Sequence, residues 1–474
     1  MSMRITLISV LMLLGGARAA LCQQPVLASA AEPKTAAAEP SSAAEPPAVA
    51  EPLTLERAVA LALARNRSVQ NARLEVENAA SRVAEARTRR LPSFKISTLV
   101  SQPLTRFDFT FEKGVFGDYP GTGPIPNEDT TIKSSMTPTA LVNGQITQPL
   151  SQLHRINLNI KQAELGRELT QEDVRLKQQA VVNDVKRAYY SALQTQSAFE
   201  SAQATIKLYK ELDRVTEAYV VQQVALKSDQ LEVQASLAKA EYEMLTLNNL
   251  LATQKEQLNS LLGRDVRTEF VLGDGLETAQ FVMRETDLKA ARTRALAQRP
   301  EIASARLKVG QAKTDKRIKK SEFLPDVSLT VNYLSPFGYS SVLPKNIASV
   351  GVQVEWEVFD WGRKKHELAE KERTLRQADN SLLDAENQVL MEVGAKYRQL
   401  QEACQMLRVA RMTQTAAHSE VQTVAYKYRA RAVLLKDVLQ AQATLAGANY
   451  EYQKALLSFW TAKADFEKAM GEDK

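Results

Sequence analysis

The sequence is poor in the residues from which reactive centres and disulfide frameworks are built. Only two of its 474 residues are cysteine, Cys22 and Cys404, which excludes a disulfide framework. Its histidines, His154, His366 and His418, are far apart, and no acids or cysteines around them form a metal-site pattern. The sequence also has no glycine-rich phosphate loop and no nucleophile elbow. These absences predict a protein that is not an enzyme and needs no cofactor or metal.

Proline is missing from two long stretches, 150–299 and 345–474, although the chain has 17 prolines. Proline inside a helix costs about 3 kcal/mol, so stretches without it can form long helices. The pattern predicts four helices, at 156–222, 228–262, 363–430 and 435–470. The longest would measure about 100 Å at roughly 1.5 Å per residue, which exceeds any single globular core.

Long apolar runs are also missing, since no stretch after residue 20 reaches the ~18 apolar residues of a membrane-spanning helix. Residues 1–19 are predicted to be an export signal, with Arg4, an apolar core and small residues at the cleavage site. Residues 20–52, rich in Ala, Pro, Glu and Ser, are predicted to be a flexible linker. A lipid anchor on Cys22 stays open.

Neither sign of charge dominates. The chain has 61 Lys and Arg against 55 Asp and Glu, and the surplus is spread along its length. This balance predicts solvated helix faces and no nucleic-acid partner. The basic run at 316–320 is interpreted in the same way, as a solvated helix end.

What the chain does contain is two copies of one pattern. Two constant offsets relate the copies: 233 residues for 58–92 on 291–325, and 208 residues for 140–264 on 348–472. The change of offset, 25 residues, indicates a longer Gly- and Pro-rich loop between Pro92 and Ala140 of the first copy. We predict repeat 1 over 53–263 and repeat 2 over 287–471. Each has a first helix, a strand hairpin, a long helix and a shorter helix.

The long helix of the first copy has apolar residues in steps of four, three or seven. The residues of this seam are Val181, Val185, Ala188, Ala192, Phe199, Ala202, Ile206 and Tyr209. A period near 3.5 predicts coiled-coil packing. On the helices alone, a filamentous coiled coil is the leading interpretation.

The two predicted hairpins, 94–150 and 326–359, alternate apolar and polar residues. The apolar set of the second hairpin, predicted to face lipid, is Val327, Leu329, Val331, Tyr333, Val350, Val352, Val354, Trp356 and Val358. The first hairpin is predicted to start near Phe94, and Phe107, Phe109 and Phe111 continue its alternation. Such segments are typical of outer-membrane barrel strands, although a soluble sheet with one wet face gives the same pattern.

Four strands cannot close a barrel, and no strand edge can stay unpaired in a membrane. Several chains would therefore have to share their strands. The predicted fold is mainly α with a small β part. Long helices form a coiled-coil barrel, and each chain adds four transmembrane β-strands to a common barrel.

The chain resembles the TolC-type outer membrane efflux protein family in several motifs. These are the duplicated architecture, the Leu-Pro before each outgoing strand, Phe359-Asp360-Trp361-Gly362-Arg363, and Asp437-Val438-Leu439-Gln440-Ala441-Gln442. The resemblance implies a homotrimer in outer membrane lipid that extends into the periplasm, with 264–286 in an equatorial belt. It also implies a periplasmic adaptor and an inner-membrane transporter as partners.

The resemblance further implies a gate at the two helix–helix turns. Asp437 would form a ring of three carboxylates, with Tyr428 and Asp229 in the contacts that hold the gate shut. The other candidates for the gate or adaptor contact are Ser228, Gln440 and Arg431. Gln440 stands where a second acid is usual, and Gln223 and Arg431 stand where turn glycines are typical. Alternatively, both aspartates only cap the helices that follow.

Two functions from different classes remain at this stage. The first is a passive outer-membrane exit duct of a tripartite efflux or type I secretion system. The second is a periplasmic coiled-coil structural or adaptor protein. Solubility separates them, because only the duct requires detergent for extraction.

Overall fold

The computed structural model describes residues 52–105, 108–133, 136–273, 287–338, 344–430 and 432–472. The predicted export signal, Cys22 and nearly all of the predicted linker lie outside the described residues. So do Phe107, Arg431 and the part of the predicted connector from 274 to 286.

Eight helices account for most of the described chain, four in each copy. Those of the first copy are α1 (Leu55–Arg65), α2 (Arg67–Thr88), α3 (Leu153–Val221) and α4 (Lys227–Leu261). Those of the second are α5 (Leu288–Gln298), α6 (Pro300–Ser321), α7 (Arg363–Arg429) and α8 (Leu435–Ala469). With 69 and 67 residues, α3 and α7 are each about 100 Å long. None of the described helices carries a stretch apolar enough to cross a membrane.

Each copy opens with two helices, which corrects the prediction of one. In the first copy the Asn66 side chain accepts a hydrogen bond from the Ser68 amide (2.9 Å) and so starts α2. The side-chain amide of Asn66 also donates a hydrogen bond to the carbonyl of Leu261 (2.8 Å). The break between α1 and α2 therefore contacts the end of α4. In the second copy Pro300 is the first residue of α6, and proline forces the preceding Arg299 out of the helical conformation.

One antiparallel sheet combines strands of both copies, in the order β1 (Ser93–Ser101), β6 (Thr139–Pro149), β7 (Asp326–Phe337) and β8 (Ile347–Glu355). The central pair, β6 and β7, joins the first copy to the second. Among the described residues, β1 and β8 each pair on one side only. The sheet therefore has two open edges.

The predicted first strand is too long. β1 ends at Ser101, and Pro103 follows, which cannot donate a ladder hydrogen bond. Phe109 and Phe111 belong to a separate pair of strands, β2 (Asp108–Phe111) and β5 (Thr130–Lys133). The tip of this insertion carries one more short pair, β3 (Asp118–Tyr119) and β4 (Gly123–Pro124).

The predicted last strand is also too long, since Trp356 and Val358 follow the end of β8 at Glu355. Instead, residues at the start of α7 form hydrogen bonds with the segment that follows β8. The Lys364 side chain donates to the carbonyl of Glu357 (3.3 Å), and Arg363 pairs with the Glu357 carboxylate (2.6 Å). Asp360 then accepts the amide of Lys364 (2.9 Å) and starts the helix.

The largest apolar core lies where α1, α3, α4, α7 and α8 meet. Tyr189 is fully buried there, and its hydroxyl donates to the carbonyl of Leu53 (2.8 Å). Several seam residues predicted from the sequence are buried in α3: Val181, Val185, Ala192 and Ile206. Ala192, the small residue among them, allows a neighbouring helix to approach closely.

Candidate functional site

The sheet has one apolar face and one polar face. A row of paired residues that crosses all four strands is apolar at every position: Phe94, Ile146, Val331 and Val350. The neighbouring row is polar at every position: Lys95, Gln145, Asn332 and Ser349. Adjacent residues of a strand point to opposite faces, so the two rows define the two faces of the sheet.

The predicted lipid-facing residues of β7 and β8 come together on the apolar face. Val327 pairs with Val354, Leu329 with Val352, and Val331 with Val350. The apolar face is exposed along β8, where Val350 is 71% accessible. Tyr333 lies on this face opposite Ala348. Trp356 and Val358 are exposed but lie beyond the strand, so the structure does not bring them into this face.

Sequence reasoning left most of β1 out of this face. Phe94, Ile96 and Val100 alternate with polar Lys95 and Ser97, and all three apolar side chains are exposed. The alternation is visible in the sequence, but Leu99 interrupts it on the polar side. The apolar face is therefore wider than predicted.

At the opposite end of the molecule, each pair of long helices turns in the same way. The Val224 amide donates to the carbonyl of Tyr219 (2.9 Å), and at the matching place in the second copy the Ala432 amide donates to Lys427 (2.9 Å). Bonds of this kind close a helix end when the residue before them is left-handed. Gln223 is in that conformation, with φ of 59°, where glycine is usual.

The two candidate acids occupy equivalent positions at these turns. Asp229 accepts a hydrogen bond from the amide of Leu226 (3.1 Å), and Asp437 accepts one from Leu434 (3.0 Å). Each carboxylate therefore satisfies an amide at the start of its helix, from within the first turn. It also places a negative charge at the positive end of a helix dipole.

Tyr428 is the one gate candidate that is buried in the described chain. Its ring lies 5.9 Å from that of Tyr219, so the ends of α7 and α3 meet here. Burial raises the pKa of the Tyr428 phenol, and the Asp229 carboxylate raises it further. The charge of Asp229 therefore acts on the Tyr428 phenol from the other turn. Ser228 and Gln440 are exposed, and Arg431 lies outside the described residues.

The turns also expose large apolar side chains. Val221, Val224 and Leu226 are exposed in the first turn, and Leu434 is exposed in the second. Large apolar side chains exposed on neighbouring turns are unusual for a solvated surface and mark a candidate contact surface.

A charge network between the long helices was not predicted. The Asp465 carboxylate of α8 accepts hydrogen bonds from Asn183 of α3 (3.1 Å) and Lys396 of α7 (2.8 Å). Burial opposes ionisation of Asp465, but these donors and the charge of Arg187 (3.8 Å) hold its pKa below the ordinary value. The partners are distant in sequence, so no local pattern could have identified the network.

A second buried ion pair fixes the helix break in the second copy. Arg299 is buried and pairs with Glu301 (2.5 Å) and Glu392 (2.9 Å), and it donates to the carbonyl of Ala469 (3.2 Å). Burial disfavours its charge, but the two glutamates more than offset this and raise the pKa of Arg299. Both networks stabilise the helical part of the molecule, away from the sheet.

Comparison with known proteins agrees with this geometry. A family model described as outer membrane efflux protein matches residues 58–264 and 291–472. The alkaline protease secretion protein AprF of Pseudomonas aeruginosa is 24% identical over 299 residues, which cover 62% of this chain and 62% of AprF. The outer membrane protein TolC of Escherichia coli is 21% identical over 360 residues, which cover 72% of this chain and 70% of TolC.

The fold is also that of solved outer-membrane channels. The channel OprN superposes with a TM-score of 0.71 at 18% identity, over 88% of this chain and 89% of OprN. At this identity the likeness concerns the fold alone. The family match covers both copies, including their helices and strands, and confirms the resemblance predicted from the motifs. The chain belongs to the outer membrane efflux protein family.

Proposed function

We propose that this chain is the outer membrane exit channel of a tripartite efflux or type I secretion system. In this proposal three copies combine their sheets into a twelve-stranded barrel, and their long helices continue the barrel into the periplasm. The channel is passive, and an inner-membrane transporter acts on it through a periplasmic adaptor.

The observation that carries the proposal is the four-stranded sheet with an exposed apolar face and two open edges. Exposed apolar strands with unpaired edges aggregate in water, so they require both lipid and further strands. The apolar row Phe94, Ile146, Val331 and Val350 supports contact with lipid. The polar row beside it supports a water-filled interior.

The oligomer and the channel are tested together. We expect the purified mature protein to require detergent, to run as a heat-modifiable trimer, and to give stable conductance steps in planar bilayers. A water-soluble monomer released with the periplasm would contradict the proposal and favour a periplasmic structural or adaptor protein.

The turn between α3 and α4 and the turn between α7 and α8, together called the tip, are proposed to form the gate and the adaptor contact. Three copies of Asp437 would bring three carboxylates around one constriction, where like charges raise one another's pKa and attract cations. Tyr428 and Asp229 would lie in the contacts that hold the tip closed. The exposed Val221 and Leu226 support docking of the adaptor at the same turns.

The gate is tested by removing charge while keeping a side-chain oxygen. We expect Asp437→Asn to lower cation selectivity, measured as the reversal potential in a salt gradient. Asp229→Asn removes the same charge from the equivalent position of the other turn, where a closing contact but no carboxylate ring is proposed. We expect a smaller change from it. An unchanged reversal potential for Asp437→Asn would contradict the proposed carboxylate ring.

A further inference from the structure

A groove of about 780 Å³ lies where α3, α6 and α7 approach the sheet. One part of its wall is apolar and consists of Leu158, Phe323, Leu324 and Leu368. The other part is basic and consists of His154, Arg317 and Lys320. A long apolar surface next to the two cations Arg317 and Lys320 is complementary to an amphiphile with a negative head group.

Arg317 and Lys320 are the cations of this groove that have no acidic partner within the described chain. The other lysines of the same basic run are neutralised. Lys316 pairs with Glu372 (3.0 Å), and Lys319 pairs with Glu322 (2.8 Å) and Glu367 (3.0 Å). Arg317 and Lys320 are exposed and line the groove.

The first copy shows that helix packing does not require these two charges. At the offset of 233 residues, Ala84 stands in place of Arg317, and Arg87 stands in place of Lys320. Arg87 is paired with Glu164 (2.9 Å). The same helix therefore forms in the first copy without an unpaired cation at either position, which indicates a separate role for Arg317 and Lys320.

The position of the groove identifies the amphiphile, and this step rests on the proposed function. Leu324 lies just before β7, whose exposed Leu329 belongs to the apolar face. Phe359 and Trp361, with ring centroids 4.8 Å apart, are exposed at the start of α7. Aromatic side chains of this kind mark a membrane–water interface. The groove thus lies at the level of lipid head groups, on the helical side of the sheet.

We propose that this groove binds an anionic phospholipid from the periplasmic leaflet of the outer membrane. An acyl chain lies against Leu158, Phe323 and Leu368, and the phosphate lies between Arg317 and Lys320. Arginine binds phosphate oxygens through two parallel N–H groups, and lysine adds a point charge. The bound lipid would hold the junction of strands and helices at a fixed depth.

The experiment measures lipid retention by the detergent-purified oligomer in native mass spectrometry. We expect phosphatidylglycerol to be retained in preference to phosphatidylethanolamine with the same acyl chains. Each basic side chain near an anionic lipid surface is worth about 1 kcal/mol, or roughly fivefold in affinity. The double variant Arg317→Ala/Lys320→Ala should therefore lose phosphatidylglycerol by roughly 25-fold.

The matched control is Lys308→Ala/Lys313→Ala, which removes two exposed charges from the same helix outside the groove. We expect it to retain the lipid. Equal retention by both double variants would overturn the proposal, and so would equal retention of phosphatidylglycerol and phosphatidylethanolamine by the unsubstituted protein. Failure of the channel would appear separately, as loss of the oligomer and of its conductance in the unsubstituted protein.

Discussion

Single residues just after the helix ends determine how the chain leaves the last helix of each copy. Gly263, just after α4, has φ of 66°, and Gly471 has φ of 83° at the matching position after α8. A Cβ atom on Gly263 would collide with the carbonyl oxygen of Arg65. Gln223 adopts the same left-handed conformation with an exposed side chain, at a position where glycine would avoid the strain.

Gly263→Ala is expected to destabilise the protein by at least about 2 kcal/mol, because left-handed strain adds to the collision with Arg65. The measurement is the midpoint of thermal unfolding of the purified oligomer. Gly447→Ala is the control, since Gly447 lies inside α8 and an added Cβ meets nothing within 4 Å. It should gain roughly 1 kcal/mol from helix propensity. Equal midpoints for the two variants would contradict the assigned strain.

At the scale of elements, the spacing of apolar residues predicted the helices and strands. It did not predict the places where a single side chain ends an element. The seam of α3 and the alternation of Val350, Val352 and Val354 were readable because packing repeats every few residues. The break at Asn66 was missed because a polar residue on an amphipathic helix looks solvated until its partner, Leu261, is known.

The sequence predicted only part of the candidate site, because contacts between distant residues leave no local pattern. Resemblance predicted the two helix–helix turns, and the structure adds the close approach of Tyr428 to Tyr219. The Asp465 network joins residues up to 282 positions apart, so only the folded chain reveals it. Burial of charge in a long helix is not visible in a periodic pattern.

The two faces of the sheet should respond differently to the same substitution. We expect Val331→Lys to cost about 2–4 kcal/mol, the usual penalty for lysine on the lipid side of a barrel, and to reduce the heat-modifiable oligomer in the outer membrane. Asn332→Lys places the same charge on the polar face and should assemble normally. Normal assembly of both variants would contradict a lipid-facing Val331.

The Asp465 network should make helix stability depend on acid. Because the folded-state pKa of Asp465 is depressed below 3.8, its contribution is present above that pH and is lost as pH falls through the lower folded value. Asp465→Asn should lose about 1–3 kcal/mol at neutral pH. The difference from the unsubstituted protein should shrink below about pH 4. The measurement is thermal unfolding at a series of pH values, and a constant difference would contradict the ionised network.

At the scale of the whole molecule, the two copies differ mainly in the connection between their strands. The first copy carries the insertion with β2, β3, β4 and β5, whereas the second connects β7 to β8 through 338–346. Ser101 and Thr139 are directly paired at the base of the insertion. A short turn can therefore join β1 to β6 without a change of register.

We expect the channel to survive replacement of residues 102–138 by the sequence of 338–346. The apolar and polar rows lie outside the exchanged segment, so the heat-modifiable oligomer and its conductance should persist. The measurement combines gel mobility with single-channel recording. Loss of the oligomer would show that the insertion is needed for assembly.

The order β1-β6-β7-β8 has a consequence for how many copies can join. The two edge strands run in opposite directions, so in the proposed barrel β8 of one copy would meet β1 of the next in the same antiparallel manner as the pairs inside the sheet. Because each chain contributes an even number of strands, this alternation is kept in a ring of two, three or four chains. Strand direction therefore does not select the stoichiometry. In the proposed channel that selection would fall to the packing of the long helices of neighbouring copies, and so to the side chains of α3 and α7.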